Sequence, residues 1–422
     1  MKLSNLLFYK SQMPTSYLPK RKACGPMFED PAINRLIDAH RESVEQNGYE
    51  KLVIPKSLHK IDSGILPPHD RYVADTLYKN GFHSYLCGGS VRDLVLNDTV
   101  NDFDFVTDAS NEDLRNIFDN IQFHKIPSGH EFGYIDFGDE IVDICTMVNI
   151  PADYYGKIHV PDFEPDELYS SSLLFDAFQR DLKINTLYYD TTTEEMIDWF
   201  GGLYDLREGV ISTPAAPYDA LHCDPRIVLR ALRFKARFGF DLSKELEETV
   251  RKYGQELAKE ISPGAKKSNL PGFFSAGYTY TGACILLEYG LFGTFFPLLG
   301  SKVDAPEYQE YAKRAAFAID WIYDEGAVGL PLLAMAAFLW PVVKNLKRKG
   351  VQNAEEQVLK SQRETIRLTE DEAAFLLESL HIEEVYDEQI INKAIEEVFE
   401  KPTLEDALNV LRIHYWKHPF EY

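Results

Sequence analysis

The sequence has few of the features that mark disulfide-rich, metal-finger or membrane-spanning proteins. Its five cysteines are widely scattered and none forms a Cys-x-x-Cys pair, so neither a zinc site nor a disulfide framework is predicted. Their odd number fits a reducing compartment. The longest apolar stretch, residues 330–343, is shorter than the roughly 20 residues that span a bilayer. The first ten residues are too polar for a secretory signal, and the sequence predicts a cytoplasmic protein with no membrane partner.

Positive charge is also scarce. The chain of 422 residues has 44 Lys and Arg against 67 Asp and Glu, a formal net charge of −23. This balance argues against a broadly basic nucleic-acid-binding surface, so any contact with RNA has to come from a local cluster of Arg and Lys. The length predicts about two to four packed units, and there are no internal repeats or low-complexity segments.

The hydrophobic pattern predicts strands flanked by helices in the first half of the chain and helices alone from residue 224 onward. This α+β arrangement predicts four regions: an N-terminal extension 1–65, a head 66–212, a helical neck 213–300 and a helical body 301–422. Helices are predicted at 32–46, 72–80, from about 91, and at 111–118. Strands are predicted at 84–87, 103–106 and 184–189, with a hairpin formed by 134–137 and 141–146.

Two carboxylates one residue apart, Asp102 and Asp104, flank the start of the predicted strand 103–106. Alternate side chains on a strand share a face, so their Cα atoms would lie roughly 6–7 Å apart and their oxygens could bind shared cations. Such a strand can hold two Mg²⁺ about 3.5–4 Å apart, the geometry of in-line phosphoryl displacement. Asp143, in an apolar strand, is the candidate third carboxylate, and Asp136 and Glu140 are weaker competitors. A solvated strand edge is the alternative explanation of the pair.

A Gly88-Gly89-Ser90 turn lies between the predicted strand 84–87 and a helix. Glycine lets the backbone approach a ligand closely, and a helix N-terminus offers free N–H groups to phosphate oxygens. The turn matches neither a Walker A loop nor the dinucleotide fingerprint, and a simple tight turn is the alternative. Arg92 could bind phosphate or form an ion pair among the neighbours of Asp93.

Two further segments carry charged residues suited to a nucleotide. The segment 180–185 offers Arg180 and Asp181 to a ribose or phosphate, unless they form a structural salt bridge. After the Asp224-Pro225 helix start, four arginines share one helical face, and an apolar stripe has the same spacing. The arginines are Arg226, Arg230, Arg233 and Arg237, and the stripe is Ile227, Ala231, Phe234 and Phe238. The arginine row is a candidate contact for triphosphate or an RNA backbone, with a solvated face as the alternative.

In this order, these segments resemble the class II tRNA nucleotidyltransferase and bacterial poly(A) polymerase family, a branch of the polymerase-β-like nucleotidyltransferases. The matching blocks are residues 88–93, 102–104, 180–185, 201–206 and 224–234. Residues 276–280, 286–292 and 296–297 look more like the poly(A) polymerase I branch. The resemblance covers roughly residues 52–345 and rests on the joint set of motifs.

The resemblance implies a polymerase-β-like nucleotidyltransferase head with a small mixed sheet, followed by an all-helical neck and body. It implies that Asp102, Asp104 and Asp143 bind two Mg²⁺ ions, which activate an RNA 3′-hydroxyl and hold the triphosphate. The remaining residues that it assigns to nucleotide binding are Gly88, Gly89, Ser90, Arg92, Asp93, Arg180, Asp181, Asn185, Asp224, Arg226, Arg230 and Arg233. It implies that Asp224 and a neck arginine read the base edge, so no nucleic-acid template is needed.

The chain departs from the family pattern at its base-reading and neck motifs. Gln179 replaces an Arg, and Cys223 and Asp143 each replace a Glu. Ile227 stands where the base-reading Arg is normal, and Arg226 is displaced by one residue, about 100° around a helix. The Arg and Glu pair that braces the neck has no match in residues 263–272, and the basic C-terminal tail is absent. The metal chemistry is therefore expected to be retained while nucleotide selection is altered.

Three functions remain open on the sequence. The leading hypothesis is addition of AMP from ATP to RNA 3′ ends, and the second is CCA addition to tRNA, which also uses CTP. The third is a non-catalytic nucleotide- or RNA-binding relative. The RNA class (mRNA, small RNA or tRNA), the nucleotide preference and the oligomeric state are not given by the sequence.

Overall fold

A computed structural model describes residues 22, 25–61, 63–100, 102–125, 131–147, 172–274, 277–323 and 330–381. The chain divides into two compact units. Among the described residues, the head unit comprises the chain from Lys22 to Ile227 together with Phe240–Thr249, and the helical unit comprises Val228–Gly239 and the chain from Val250 onward. Residues 148–171 and the C-terminal residues 382–422 lie outside the described residues.

The head unit is built on a mixed sheet with strand order β1-β8-β7-β2-β3-β6-β5-β4. Only the central β3–β6 pair is parallel among the described strand pairs of this sheet. The strands are β1 (Leu52–Ile54), β2 (Ser84–Cys87), β3 (Phe105–Thr107), β4 (Ile121–Lys125), β5 (Glu131–Asp136), β6 (Ile141–Thr146), β7 (Leu187–Asp190) and β8 (Met196–Asp198). The predicted α+β fold and mixed sheet are confirmed, and β1 brings part of the predicted N-terminal extension into the sheet.

Short helices cover the head sheet. They are α1 (Pro31–Asn47), α2 (Lys56–His59), α3 (Pro68–Lys79), α4 (Gly89–Val95), α5 (Asn111–Ile117), α6 (Ser172–Phe178), α7 (Gly202–Glu208) and α8 (Pro217–Cys223). The start of α5 is fixed by a capping box in which Ser110 and Asp113 each bond the other's backbone N–H. One face of the sheet is closed by α6, whose Leu174 and Phe178 pack with Val106 and Tyr188.

Two predicted strands differ in extent from the observed ones. The strand predicted at 103–106 begins only at Phe105, because β2, its neighbour, ends at Cys87, where the backbone turns through Gly88. Asp102 and Asp104 therefore precede the strand. The strand predicted from residue 184 begins at Leu187, because the side chain of Asp181 accepts the backbone N–H of Leu182 and so favours a turn over Lys183–Asn185. Strand 84–87 and the hairpin are confirmed.

The helical half of the chain contains one short strand contrary to expectation. β10 (Asp241–Leu242) pairs in parallel with β9 (Val210–Ile211), which draws Phe240–Thr249 into the head unit. The remaining helices are α9 (Arg226–Phe238), α10 (Lys244–Glu260), α11 (Pro263–Asn269), α12 (Thr279–Glu288), α13 (Phe292–Phe295), α14 (Pro306–Tyr323), α15 (Leu330–Arg348), α16 (Ala354–Ile366) and α17 (Glu370–His381).

A cluster of aromatic rings forms much of the core of the helical unit. The ring of Phe338 in α15 lies 5.1 Å from that of Phe292 and 5.4 Å from that of Phe274, centroid to centroid, and all three side chains are fully buried. The start of α12 is held by Asp320, whose carboxylate accepts the backbone N–H groups of Thr279 and Tyr280. Within the described part of the chain, none of the helices has the length and apolar character needed to cross a membrane.

Candidate active site

Strand register brings the two predicted motifs Asp102–Asp104 and Asp143 together. Phe105 of β3 pairs with Ile144 of β6 in the parallel ladder, so the preceding residues, Asp104 and Asp143, are neighbours on the same face. On the other side, the backbone N–H of Cys87 donates to the carbonyl of Asp104 at 3.1 Å. Cys87 in turn pairs with Tyr188 of β7. A single row across four neighbouring chain segments thus reads Tyr188, Cys87, Asp104, Asp143, and we call it the site row.

The acidic side chains of this region repel one another. Burial raises the pKa of Asp104, and the charges of Asp143 and Asp102 raise it further, although the nearby Arg180 guanidinium opposes them. Burial and the charge of Asp102 likewise raise the pKa of Asp143. All three residues nevertheless expose a large part of their surface to solvent. These carboxylates are therefore accessible to water and ions, although the surrounding protein removes part of their hydration.

The three carboxylates have the right donor chemistry for a divalent cation of the magnesium type. Carboxylate oxygens are hard ligands that Mg²⁺ prefers, and a cation would relieve the mutual repulsion that raises these pKa values. Among the described residues, however, no three His, Cys, Asp or Glu side chains lie close enough together to hold a metal ion. The metal assignment of Asp102, Asp104 and Asp143 therefore stays a prediction.

The glycine turn allows the close approach of an arginine. Gly88 has φ 66° and ψ −127°, a conformation that residues with a side chain rarely adopt. A Cβ at this position would lie 3.0 Å from Nη1 of Arg180. Ser90 donates its hydroxyl to the carbonyl of Cys87 at 2.8 Å and is buried, so its side chain stabilises the turn that leads into α4.

Arg92 occupies a buried network behind the glycine turn. Its Nε donates to Asp93 at 2.9 Å and its Nη1 to the side-chain oxygen of Asn185 at 2.7 Å. Asn185 donates to Asp181 at 3.0 Å. Arg92, Asp93 and Asn185 are at most 9% exposed. Of the two roles that the sequence left open for Arg92, the structure shows the ion pair, with Asp93 itself; direct nucleotide contact by these side chains stays a prediction.

Arg180 lies against the site row. Its Nε and Nη2 donate to Oδ2 of Asp176 at 3.0 and 2.8 Å, and its Nε also donates to the hydroxyl of Tyr188 at 2.9 Å. The Tyr188 hydroxyl donates to the same Asp176 oxygen at 2.5 Å. These contacts hold a positive charge beside Asp104 and the glycine turn, which suits binding of an anionic group.

Sequence reasoning missed Asp176 and Tyr188. The i, i+4 spacing of Asp176 and Arg180 was a signal for their ion pair. No local signal connects Tyr188 to them, because it is brought there by the pairing of β7 with β2.

Asp224 and Arg226 form a bidentate pair at the start of α9. Nε and Nη2 of Arg226 donate to the two carboxylate oxygens of Asp224 at 2.7 and 2.8 Å. These hydrogen bonds raise the pKa of Arg226, and the charges of Asp224 and Asp181 add to the effect. Asp224 also accepts the backbone N–H of Arg226 at 3.0 Å, so it caps the helix as predicted. Ile227, at the family's usual arginine position, is buried.

The rest of the arginine row belongs to the helical unit and is not a fully solvated face. Arg230, Arg233 and Arg237 are half-buried. The backbone at Gly272 lies against the methylene groups of Arg233 so closely that a Cβ there would clash with them. The predicted apolar stripe of α9 is confirmed, since Ile227, Ala231, Phe234 and Phe238 are all buried.

Comparison with known proteins agrees with the family resemblance and the fold predicted from the sequence. Residues 84–212 match the family model of the poly(A) polymerase head domain. The resemblance to this family that was predicted from the sequence is thereby confirmed for the head. The chain is 30% identical over 257 residues to poly(A) polymerase I of Escherichia coli O6:H1, a match that covers 58% of this chain and 54% of that protein. It is 34% identical over 180 residues to the CCA-adding enzyme of Bacillus subtilis, covering 42% of each.

The fold is shared with solved structures of this family. The Thermotoga maritima CCA-adding enzyme complexed with tRNA superposes with a TM-score of 0.58 and 18% sequence identity, over 87% of this chain and 83% of that one. The chain spans little more than half the length of the first relative described above.

Proposed function

We propose that this protein is a template-independent nucleotidyltransferase that adds AMP from ATP to the 3′ end of RNA. The observation that carries the proposal is the site row, in which Asp104 and Asp143 lie side by side with Arg180 and the glycine turn next to them. Acidic residues for cations beside a fixed guanidinium and a close backbone approach suit a nucleoside triphosphate.

Asp102, Asp104 and Asp143 would hold Mg²⁺, which supplies charge stabilisation for phosphoryl transfer. Enzymes of this family generally use divalent metal ions. Arg180 binds a triphosphate oxygen, and Gly88 and Gly89 admit the phosphates close to the backbone. Asp181 binds the ribose, and its orientation depends on Asn185 and thus on the buried Arg92.

The Asp224–Arg226 pair reads the edge of the base. A bidentate carboxylate–guanidinium pair presents fixed acceptors and donors, as base recognition without a template requires. The charge of Asp181 raises the pKa of Arg226, so the residues proposed to contact the base and the ribose are near each other in the head unit. Arg230 and Arg233, which belong to the helical unit, contribute positive charge for the RNA backbone.

AMP addition is favoured over CCA addition by the extent of the match. The poly(A) polymerase relative aligns over 257 residues, whereas the CCA-adding relative aligns over 180. RNA, ATP and, for the CCA alternative, CTP are the partners we propose, in the cytoplasm. The T. maritima CCA-adding enzyme was solved in complex with tRNA, which makes tRNA one of the RNA classes to test.

The activity is tested with purified full-length protein, a labelled RNA primer, Mg²⁺ and each nucleotide separately. We expect extension with ATP alone on a generic primer. Extension confined to tRNA that lacks its 3′ end, with CTP used before ATP, would support CCA addition instead. No extension under conditions where a control polymerase extends the primer would refute both and leave the non-catalytic relative.

A matched pair of variants tests the acidic residues. Asp104→Asn is expected to reduce kcat by at least about 10²-fold, because the carboxylate would hold the cation that stabilises the negative charge of the transition state. Asp139→Asn is the control, because Asp139 lies in the hairpin turn with a side chain that is 79% exposed and contacts His69. Equal activity of the two variants would contradict the proposed site.

A further inference from the structure

We propose that Asp176 and Tyr188 are positioning residues for ATP binding, which together fix the Arg180 guanidinium against the glycine turn so that it meets the triphosphate in one orientation. The inference rests on the proposed function, because it assigns the triphosphate to Arg180. It adds two residues that do not touch the nucleotide themselves.

The three side chains form a closed triangle of hydrogen bonds. Oδ2 of Asp176 accepts from Nε and Nη2 of Arg180 and from the Tyr188 hydroxyl, while that hydroxyl accepts from Nε of Arg180. A flexible arginine held at Nε and Nη2 loses most of its freedom to rotate, and the position of its remaining nitrogen is then determined. That nitrogen, Nη1, is the atom nearest to the place that a Cβ of Gly88 would take.

The triangle is built into the interior of the head unit. Tyr188 is fully buried on β7, and the Asp176 and Arg180 side chains are only 13% and 23% exposed. The guanidinium also lies 5.2 Å from the centre of the Tyr188 ring. A buried tyrosine hydroxyl needs a partner, so the cost of burying these polar groups is offset only while the triangle is intact.

The arrangement favours a positioning role over a purely structural one. An ion pair needed only for stability does not have to direct its arginine toward a turn that requires glycine. Here the side chain reaches from the end of α6 to Gly88, where the backbone is shaped to admit it.

The adjacent residue Tyr189 provides a matched control. It is also fully buried on β7 but points to the opposite face, where its ring packs edge-on against His59, 5.7 Å away, and its hydroxyl reaches the carbonyl of Ile61 at 3.5 Å. Tyr188→Phe and Tyr189→Phe therefore each remove one buried hydroxyl from the same strand. Only the first removes a contact of Arg180.

The test measures the KM for ATP, the KM for an RNA primer and the melting temperature of wild-type, Tyr188→Phe, Asp176→Asn and Tyr189→Phe protein. We expect Tyr188→Phe to raise the KM for ATP about fivefold to tenfold, the scale of one ordinary hydrogen bond, because its effect reaches ATP only through Arg180, and Asp176→Asn to raise it at least as much. The KM for RNA and both constants of Tyr189→Phe should stay within about twofold of wild type. An unchanged KM for ATP in Tyr188→Phe would overturn the proposal.

A double-mutant cycle with Arg180→Lys separates positioning from general destabilisation. If Tyr188 acts through Arg180, adding Tyr188→Phe to Arg180→Lys should raise the KM for ATP no further, whereas independent effects would multiply. ATP binding measured by calorimetry gives the same comparison if the wild-type protein transfers no nucleotide. If the wild-type protein transfers no nucleotide but the variants differ in ATP affinity as expected, only the proposed function is refuted. Equal ATP affinity in all variants would refute the positioning role.

Discussion

Replacing Gly88 by alanine tests the close approach of Arg180 to the glycine turn. The positive φ of Gly88 costs a residue with a Cβ about 1–3 kcal/mol. The new methyl group would also stand 3.0 Å from Nη1 of Arg180, so the guanidinium has to move by a few tenths of an ångström. We expect this shift to misalign one charge-assisted hydrogen bond to the triphosphate and to raise the KM for ATP on the order of tenfold.

Two control variants separate backbone strain from displacement of the arginine. Gly138, in the hairpin turn, has φ 92° and nothing within 4 Å of the position of a Cβ, so Gly138→Ala should show strain alone. Gly293→Ala should show neither, because Gly293 lacks a positive φ and has nothing within 4 Å of the position of a Cβ. Urea unfolding and steady-state kinetics are measured for all three variants.

The comparison of the three variants distinguishes displacement of Arg180 from backbone strain. Gly88→Ala and Gly138→Ala should lose similar unfolding free energy, but only Gly88→Ala should bind ATP more weakly. If Gly88→Ala loses stability and keeps the wild-type KM for ATP, Arg180 does not bind the triphosphate from the position seen here. If Gly138→Ala weakens ATP binding as much, the effect arises from general loosening of the head.

Two further predictions concern stability. Burial and the nearby Glu140 raise the pKa of Asp70, a residue that is 2% exposed, to about 6 from 3.8. Ionisation of Asp70 therefore destabilises the folded state as the pH rises from 3.8 to about 6. Asp70→Asn should raise the unfolding free energy by at most about 3 kcal/mol at pH 8 and by little at pH 4. A gain that is the same at both values would contradict this. Gly272→Ala should cost about 1–3 kcal/mol in urea unfolding because its methyl group would clash with Arg233, whereas Gly264→Ala, with open space around it, should cost far less.

The parts of the head that depend on local pattern were predictable. Apolar alternation followed by Gly88 located β2 to the residue, and the Gly138 turn located the hairpin of β5 and β6. Ser110 marked the start of α5 because a side-chain cap is a local interaction. These features need only neighbours in sequence, which is why one sequence suffices to find them.

The arrangement of the site depends on contacts between distant segments, and those were only partly predictable. The sequence placed Asp102 and Asp104 on a strand, but the strand starts at Phe105, and beyond Asp104, which Cys87 bonds, β2 offers no further partner. What brings Asp104 beside Asp143 is the β3–β6 register, which no local pattern encodes. The burial of Arg92 likewise follows from its contact with Asn185, 93 positions away.

The altered base-reading motif is where the structure changes the interpretation most. From sequence, Arg226 is displaced by about 100° of helical rotation from the family's arginine position, so that altered nucleotide selection was expected. In the structure Asp224 precedes α9, so its backbone does not follow helical periodicity. Its carboxylate forms a bidentate pair with Arg226, and Ile227 is buried in the core. The non-helical backbone at the start of the helix thus allows an aspartate–arginine pair to form although the arginine is shifted by one position. Our proposal that this pair reads the base depends on these donors and acceptors.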